Sequence, residues 1–388
     1  MLTKDEAELY DRQIRLWGVN AQSRLRQSKV LMLGFNGIAS EVAKILVLAG
    51  IDTLSIVDHE ELKEEDLTSN LFCRTRGDEN KFRTHQVKEK LKTLNPLVKV
   101  NIDNSTITDK NSDDFQGYDL VTLHTFLPID QIKRINDICR QGKIKFYLVL
   151  DYGFFGFMFN DLGRDFQFTH EEFKENDPPK QTGKAKDPID LREEDQEEEE
   201  GRPKKRLRLE DPVDPSETKP ESKDDDKDMK KHKASTLSYA SFENMISFRE
   251  TRFDKNSSPV LFISVAMMKF YDENSRLPQT QEDLSKLNEI IASIKDSLNL
   301  HDGIFKKLSP EWSQNISGSL SPVCAIVGGV AGQDMIRALS GKDIPVCNTF
   351  SFDGLEMAGV VERVAIQDSS EAKVQPVVRD LLQIDDDD

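Results

Sequence analysis

Between Lys29 and Asp58 the chain runs Lys-Val-Leu-Met-Leu into Gly34 and then a segment to Gly50 whose Val42, Ala43, Ile45, Leu46 and Ala49 share one helical face. It closes with Leu54-Ser-Ile-Val-Asp58. Two short apolar strands joined through an amphipathic helix lie side by side as parallel neighbours, because a tight turn reverses direction and a crossover helix does not. Such crossovers are right-handed, since a right-twisted strand packs its helix back onto the sheet only that way. This unit sets the class as α/β, built on a parallel sheet with helices on both faces.

The alternation continues through a helical segment from His85 to Leu94, strands at Val98 to Ile102 and Asp119 to Leu123, a helix from Ile129 to Arg140 and a strand at Phe146 to Leu150. The stretch Tyr152-Gly-Phe-Phe-Gly-Phe-Met-Phe-Asn160 is rich in glycine and aromatic residues and reads as strands of a mixed sheet. Residues 1–168 are therefore expected to form the N-terminal part of one doubly wound domain.

Where the first strand meets the first helix, doubly wound folds hold nucleotide phosphates, because glycines let backbone N–H groups and the helix N-terminus approach closely. Glycine stands here at Gly34 and Gly37, but a G-x-G-x-x-G reading from Gly34 meets Asn36 and Ala39. An asparagine side chain occupies space that phosphates need. Asp58, at the end of the second strand, stands where such folds set a carboxylate on the ribose. The expectation is a degenerate site of Gly34, Asn36, Gly37 and Asp58. A nicotinamide-dependent oxidoreductase would show the same acid, but with intact glycines and a separate catalytic set.

The rest of the chain is read from composition and pattern. Thr3 and Glu6 have capping-box spacing, and Leu9, Gln13, Ile14, Leu16 and Trp17 follow with helical periodicity, so one amphipathic N-terminal helix is expected, packed down by Tyr10, Leu16 and Trp17. From Glu175 to Lys233 the chain turns to Pro, Lys, Asp and Glu with almost no aromatics, and 175–233 reads as a disordered charged insertion. It contains Pro203-Lys-Lys-Arg-Leu-Arg208, either a basic cluster for nuclear import or a charge-balanced linker. The import reading predicts residence in the nucleus as well as the cytoplasm. Residues 238–320 read as a small helical subdomain, 321–365 as a return to the main domain and 366–388 as an acidic tail.

The formal net charge of -17 disfavours nucleic acid as a partner. No apolar run approaches the roughly 20 residues that cross a bilayer, and the N-terminus is charged where an export signal is apolar. Neither membrane nor export is expected. Four scattered cysteines, Cys73, Cys139, Cys324 and Cys347, make no C-x-x-C pair, so neither a metal site nor a disulfide framework is expected.

Tyr10-Asp-Arg-Gln-Ile-Arg-Leu-Trp-Gly18 closely resembles the opening motif of the ubiquitin-like activating enzymes. Val30 to Gly50, Leu94-Asn-Pro96, Ile144-Lys-Phe146, Ser321 to Leu339 and Asn348-Thr-Phe-Ser-Phe-Asp-Gly354 support the likeness, which covers roughly Leu9 to Phe168 and Ser321 to Val364. The resemblance implies a Rossmann-like adenylation-type domain. In that family two related halves associate, and only one keeps a complete ATP site and the catalytic cysteine. This chain resembles the other half. Its Ser69-Asn-Leu-Phe-Cys-Arg-Thr-Arg-Gly77 lacks the Arg-Gln pair of the active half, and Arg83 falls where that half carries lysine. The length and the single insertion resemble the small, non-cysteine subunit of the SUMO-activating branch. The NEDD-type counterpart is longer, and ubiquitin-activating enzymes carry both halves on one chain.

The family reaction adenylates the modifier's C-terminal carboxylate with ATP and Mg2+, passes the acyl group to a cysteine as a thioester, and hands it to a conjugating enzyme. The resemblance thus implies ATP and Mg2+ bound mainly by a larger, cysteine-bearing partner, with SUMO and, transiently, a SUMO-conjugating enzyme as further partners. In the family the arginine after Tyr-Asp reaches the ATP of the other half, which assigns that role to Arg12, with Arg15 as a second candidate. Without the motif, Arg12 reads as a surface salt-bridge residue. A non-catalytic scaffold that keeps only the fold is the remaining alternative.

Overall fold

The computed structural model describes residues 3–73, 82–85, 87–171 and 232–366. The N-terminal arm has three short helices, α1 (Lys4–Leu9), α2 (Asp11–Trp17) and α3 (Val19–Leu25). The parallel half of the fold follows as β1 (Lys29–Leu33), α4 (Gly37–Ala49), β2 (Thr53–Val57), α5 (Glu64–Ser69), α6 (Val87–Leu94), β3 (Lys99–Asp103), β4 (Leu120–Leu123), α7 (Ile129–Gln141) and β5 (Lys145–Tyr152). Next come β6 (Phe155–Asp161), β7 (Phe166–Glu171), β8 (His232–Leu237), α8 (Phe242–Ile246), α9 (Pro259–Asn274) and α10 (Gln281–Leu298). The described chain closes with α11 (Ser321–Ser340), β9 (Thr349–Asp353) and β10 (Ala358–Glu362).

Eight strands form one sheet in the order β10-β9-β6-β5-β4-β1-β2-β3. The pairs from β5 through β3 are parallel, and β6, β9 and β10 continue antiparallel. The fold is thus the doubly wound, mixed α/β sheet that the sequence predicts. Alternation sorts its side chains into two layers, because successive strand residues face opposite ways. Leu31, Leu33, Phe146, Leu148 and Phe157 join one apolar core with α7 and α9. Val30, Met32, Tyr147, Val149 and Met158 join the other with α4, α6 and α11. Helix α11 meets α4 at its small residues: a Cβ on Gly328 would stand 2.7 Å from Glu41 Cβ, and one on Gly332 2.8 Å from Ile45 Cδ1.

Several expectations are corrected. The N-terminal segment is not one helix. Tyr10 takes φ -99°, ψ 15° between α1 and α2, and Gly18 takes φ 87° between α2 and α3, so the arm bends twice. Helices α9 and α10 do not pack apart as a subdomain, since Phe262, Met267 and Leu287 share a core with the sheet. Regular structure is present before Ser238, because β8 begins at His232 and pairs with β7. One apolar helix does reach membrane-spanning length: α11 is long and apolar enough by composition, but 67% of it is buried, and it serves as a core helix. The basic cluster 203–208 and residues 367–388 lie outside the described residues.

Candidate functional site

In an open parallel sheet, ligands bind beyond the carboxyl ends of the strands, where the turns into the helices gather. Here β1 ends at Leu33, Gly34 turns with φ +84°, and α4 begins behind Asn36. The first N–H groups of a helix lack intrahelical partners, and a phosphate at this position would accept from them. Asn36 supplies the acceptor instead: its Oδ1 takes the Ala39 N–H at 3.1 Å. Its Nδ2 donates to the His124 carbonyl at 2.8 Å and to Asp151 Oδ1 at 3.2 Å. The side chain therefore lies across the cradle, tied to the turn after β4 and to the end of β5.

Asp58 is also engaged. It is 1% exposed, and its Oδ2 accepts from the Phe35 N–H at 2.9 Å and from Arg83 Nε at 2.5 Å. Its Oδ1 accepts the Glu60 N–H at 3.0 Å. Arg83 reaches on to Asp66 at 3.4 Å, so one buried guanidinium bridges two buried carboxylates. Burial opposes that charge, and the adjacent Asp58 outweighs it, holding the guanidinium above its ordinary pKa. Accepting these three bonds and almost wholly buried, Asp58 is not presented to a ribose hydroxyl. These residues do not fit ATP: the phosphate cradle is capped from within and the ribose acid is paired.

The sequence reading missed two groups in this crevice. Asp151 lies near the end of β5, and burial pushes its carboxyl above the usual range although Ser319 Oγ and Cys324 Sγ both donate to it. His124, just beyond β4, is fully buried, and burial pushes its ring down to about 3; Nε2 meets Thr122 Oγ1 at 2.9 Å. Position at the ends of parallel strands is the signal that could have found both. Among the described residues no three His, Cys, Asp or Glu side chains gather as a metal site. All four cysteines are buried, and burial pushes the Cys73 and Cys347 thiols up to about 12, away from thiolate chemistry.

Arg12 lies elsewhere, on α2. It is exposed and makes no hydrogen bond or ion pair with any described residue. Arg15 differs, pairing with Asp11 at 2.9 Å across one helical turn. Leu9 and Leu16 lie three residues before and four after Arg12 and are 59% and 73% exposed, and Val19, beyond the Gly18 bend at the start of α3, is 56% exposed. Leu16 thus points outward, contrary to the expectation that it packs the arm down, while Tyr10, 2% exposed, and the half-buried Trp17 pack inward as expected. Of the stretch Ser69 to Gly77, residues 74–77 lie outside the described residues.

Fold and site together define a doubly wound nucleotide-binding domain whose own cradle is closed by resident side chains. The profile of the ThiF family matches residues 10–374. The chain is 34% identical over 365 residues to the SUMO-activating enzyme subunit 1 of Xenopus laevis, covering 93% of this chain and 96% of that protein. Its likeness to the proteins of the same name from Homo sapiens, 33% over 373 residues, and Danio rerio, 32% over 368, spans the same shares. The chain belongs to the ThiF family.

Proposed function

We propose that this chain is the supporting, non-cysteine subunit of a SUMO-activating enzyme. In this reading it pairs with a larger, cysteine-bearing subunit that binds ATP and Mg2+ and receives SUMO as a thioester, with a SUMO-conjugating enzyme as the next acceptor. Family membership implies ATP use, the names of the relatives point to SUMO, and the closed cradle argues that the nucleotide is held by the partner.

One observation carries the catalytic part: an arginine with no ion-pair partner among the described residues stands on an arm rimmed by exposed apolar side chains. Exposed leucines in such a cluster suit burial against another chain. When a carboxylate attacks the α-phosphate of ATP, pyrophosphate leaves and negative charge spreads over the phosphoryl oxygens. A guanidinium brought there by subunit association offsets that charge, and more strongly once water is excluded. Arg15 is the weaker candidate, since Asp11 already neutralises it.

The test is ATP–pyrophosphate exchange by the assembled heterodimer at saturating modifier. Arg12→Ala should slow it by about 100-fold or more while assembly stays normal, and Arg12→Lys should recover only part, lacking the planar fork. The chain alone should give no exchange. Normal exchange by assembled Arg12→Ala would leave this subunit a scaffold. Nuclear residence is proposed on the cluster Pro203 to Arg208; unchanged nuclear accumulation after neutralising it would reject that.

A further inference from the structure

We propose that the C-terminal end of α4 is the platform that fixes the Arg12 arm, with Tyr10, Gln13 and Asn95 as positioning residues; this rests on the role of Arg12 set out above. Helix α2 has no fully buried residue and reaches the core through the half-buried Trp17 at its C-terminal end, so the start of the helix, where Arg12 stands, is placed by polar ties. The last turn of a helix presents carbonyls without intrahelical partners, and at the end of α4 side chains converge on them. Gln13 Nε2 donates to the Leu48 carbonyl at 3.0 Å, Gln22 Nε2 to Ala49 at 2.9 Å, and Arg26 Nη1 to Ile51 at 3.0 Å and Gly50 at 3.3 Å. All three donors lie on the arm or directly after it. The Arg26 cation also suits the negative end of the helix dipole.

Asn95, from the Leu-Asn-Pro motif that the nucleotide site leaves unexplained, completes the platform. Its Nδ2 donates to the Val47 carbonyl at 2.9 Å and to the Tyr10 hydroxyl at 2.8 Å. The Tyr10 ring lies against Gly50, where a Cβ would stand 2.4 Å from the hydroxyl oxygen and where φ is +80°. Glycine at that helix end thus serves both the left-handed cap and the tyrosine's seat. The Tyr10 carbonyl in turn accepts the Ile14 N–H at 2.8 Å, the first bond of α2. Tyr10 and Gln13 therefore bracket Arg12 in sequence, and both are tied to one helix end.

A double-mutant cycle tests this in the assembled heterodimer. Tyr10→Phe, Gln13→Ala and their combination are made with Arg12 intact and again with Arg12→Ala, and kcat and KM for ATP are measured by pyrophosphate exchange. With Arg12 present the combination should lower kcat about three- to tenfold with KM nearly unchanged, since a misplaced group loses transition-state contact. With Arg12→Ala it should lower kcat no further. An equal loss in both backgrounds, or no loss in either, overturns the platform. Normal exchange by Arg12→Ala alone instead sinks the underlying role of Arg12, and the inference with it. Where a variant does not assemble, Asn95→Asp replaces it: this keeps the Leu97 N–H bond to Oδ1 but loses both donors, and the same outcomes decide.

Discussion

Arg83→Met tests whether the former ribose acid now belongs to a structural ion cluster. Arg83 and its two partners are almost wholly buried, with side-chain exposures of 7% for Arg83, 1% for Asp58 and 3% for Asp66. Removing the one cation leaves two buried carboxylates, and breaking such a pair costs about 3–5 kcal/mol. Backbone N–H groups of Phe35 and Glu60 on Asp58, and of Lys63 on Asp66, remain in the variant. They place the cost near the lower end, about 3 kcal/mol, against a total stability of order 5–15 kcal/mol. For a chain of this size, with an unfolding entropy of roughly 2.1 cal/mol/K per residue, that is a fall in Tm of roughly 4–5 °C. Thermal unfolding of Arg83→Met beside Asp58→Asn/Arg83→Met provides the assay. The double variant should recover part of the loss, because it neutralises the nearer of the two carboxylates and leaves only Asp66, which keeps the Lys63 N–H, without its cation. A fall under about 2 °C, or a double variant as unstable as the two single losses added, would refute the reasoning. Neither variant should acquire ATP binding, since Asn36 still closes the cradle.

Replacing all four cysteines by serine or alanine should leave thioester formation by the reconstituted heterodimer intact once folding losses are allowed for; a modifier thioester on this chain would reverse the assignment of roles. His124, pushed down to about 3 by burial, leaves the folded state one proton short of the unfolded chain between its ordinary 6.5 and that value. This contribution to stability is lost as pH falls through the window, at up to about 1.4 kcal/mol per unit. Asp334, raised by burial to about 6, gives the opposite slope between 3.8 and 6, where the folded state holds the extra proton and stability rises as pH falls. From pH 6 to 4, Tm of His124→Gln should therefore rise relative to the unsubstituted chain and that of Asp334→Asn should fall; parallel curves would contradict both.

The parallel sheet was legible because burial on both faces leaves each strand a continuous apolar run bounded by glycine or an acid, as in Val30 to Gly34 and Leu54 to Asp58. Asn36 was legible too, as a side chain standing where a glycine pattern leaves none. What closes the site was not. Arg83 was noticed only as a replaced lysine, and its bond to Asp58 joins residues far apart in sequence that the fold alone brings together. Helical periodicity likewise grouped Leu9 and Leu16 with Trp17 without saying which of them is covered. Tyr10 carries no helix-breaking signal, so the first bend in the arm follows from its seat on Gly50, a tertiary contact.

The two ends of α4 explain why the turn after β1 keeps the shape of a phosphate cradle although resident side chains fill it. A helix N-terminus exposes N–H groups that need an acceptor, and in a loaded site the phosphates supply it. Without them, the turn keeps its shape only if a resident group takes their place. Asn36 does so at the helix end, and Arg83 neutralises the acid that would have met the ribose. The helix itself cannot be discarded, because α11 packs on it through Gly328 and Gly332 and the arm docks on its last carbonyls. A helix held in place at its far end constrains the near end, so the turn before α4 keeps its place and is filled from within.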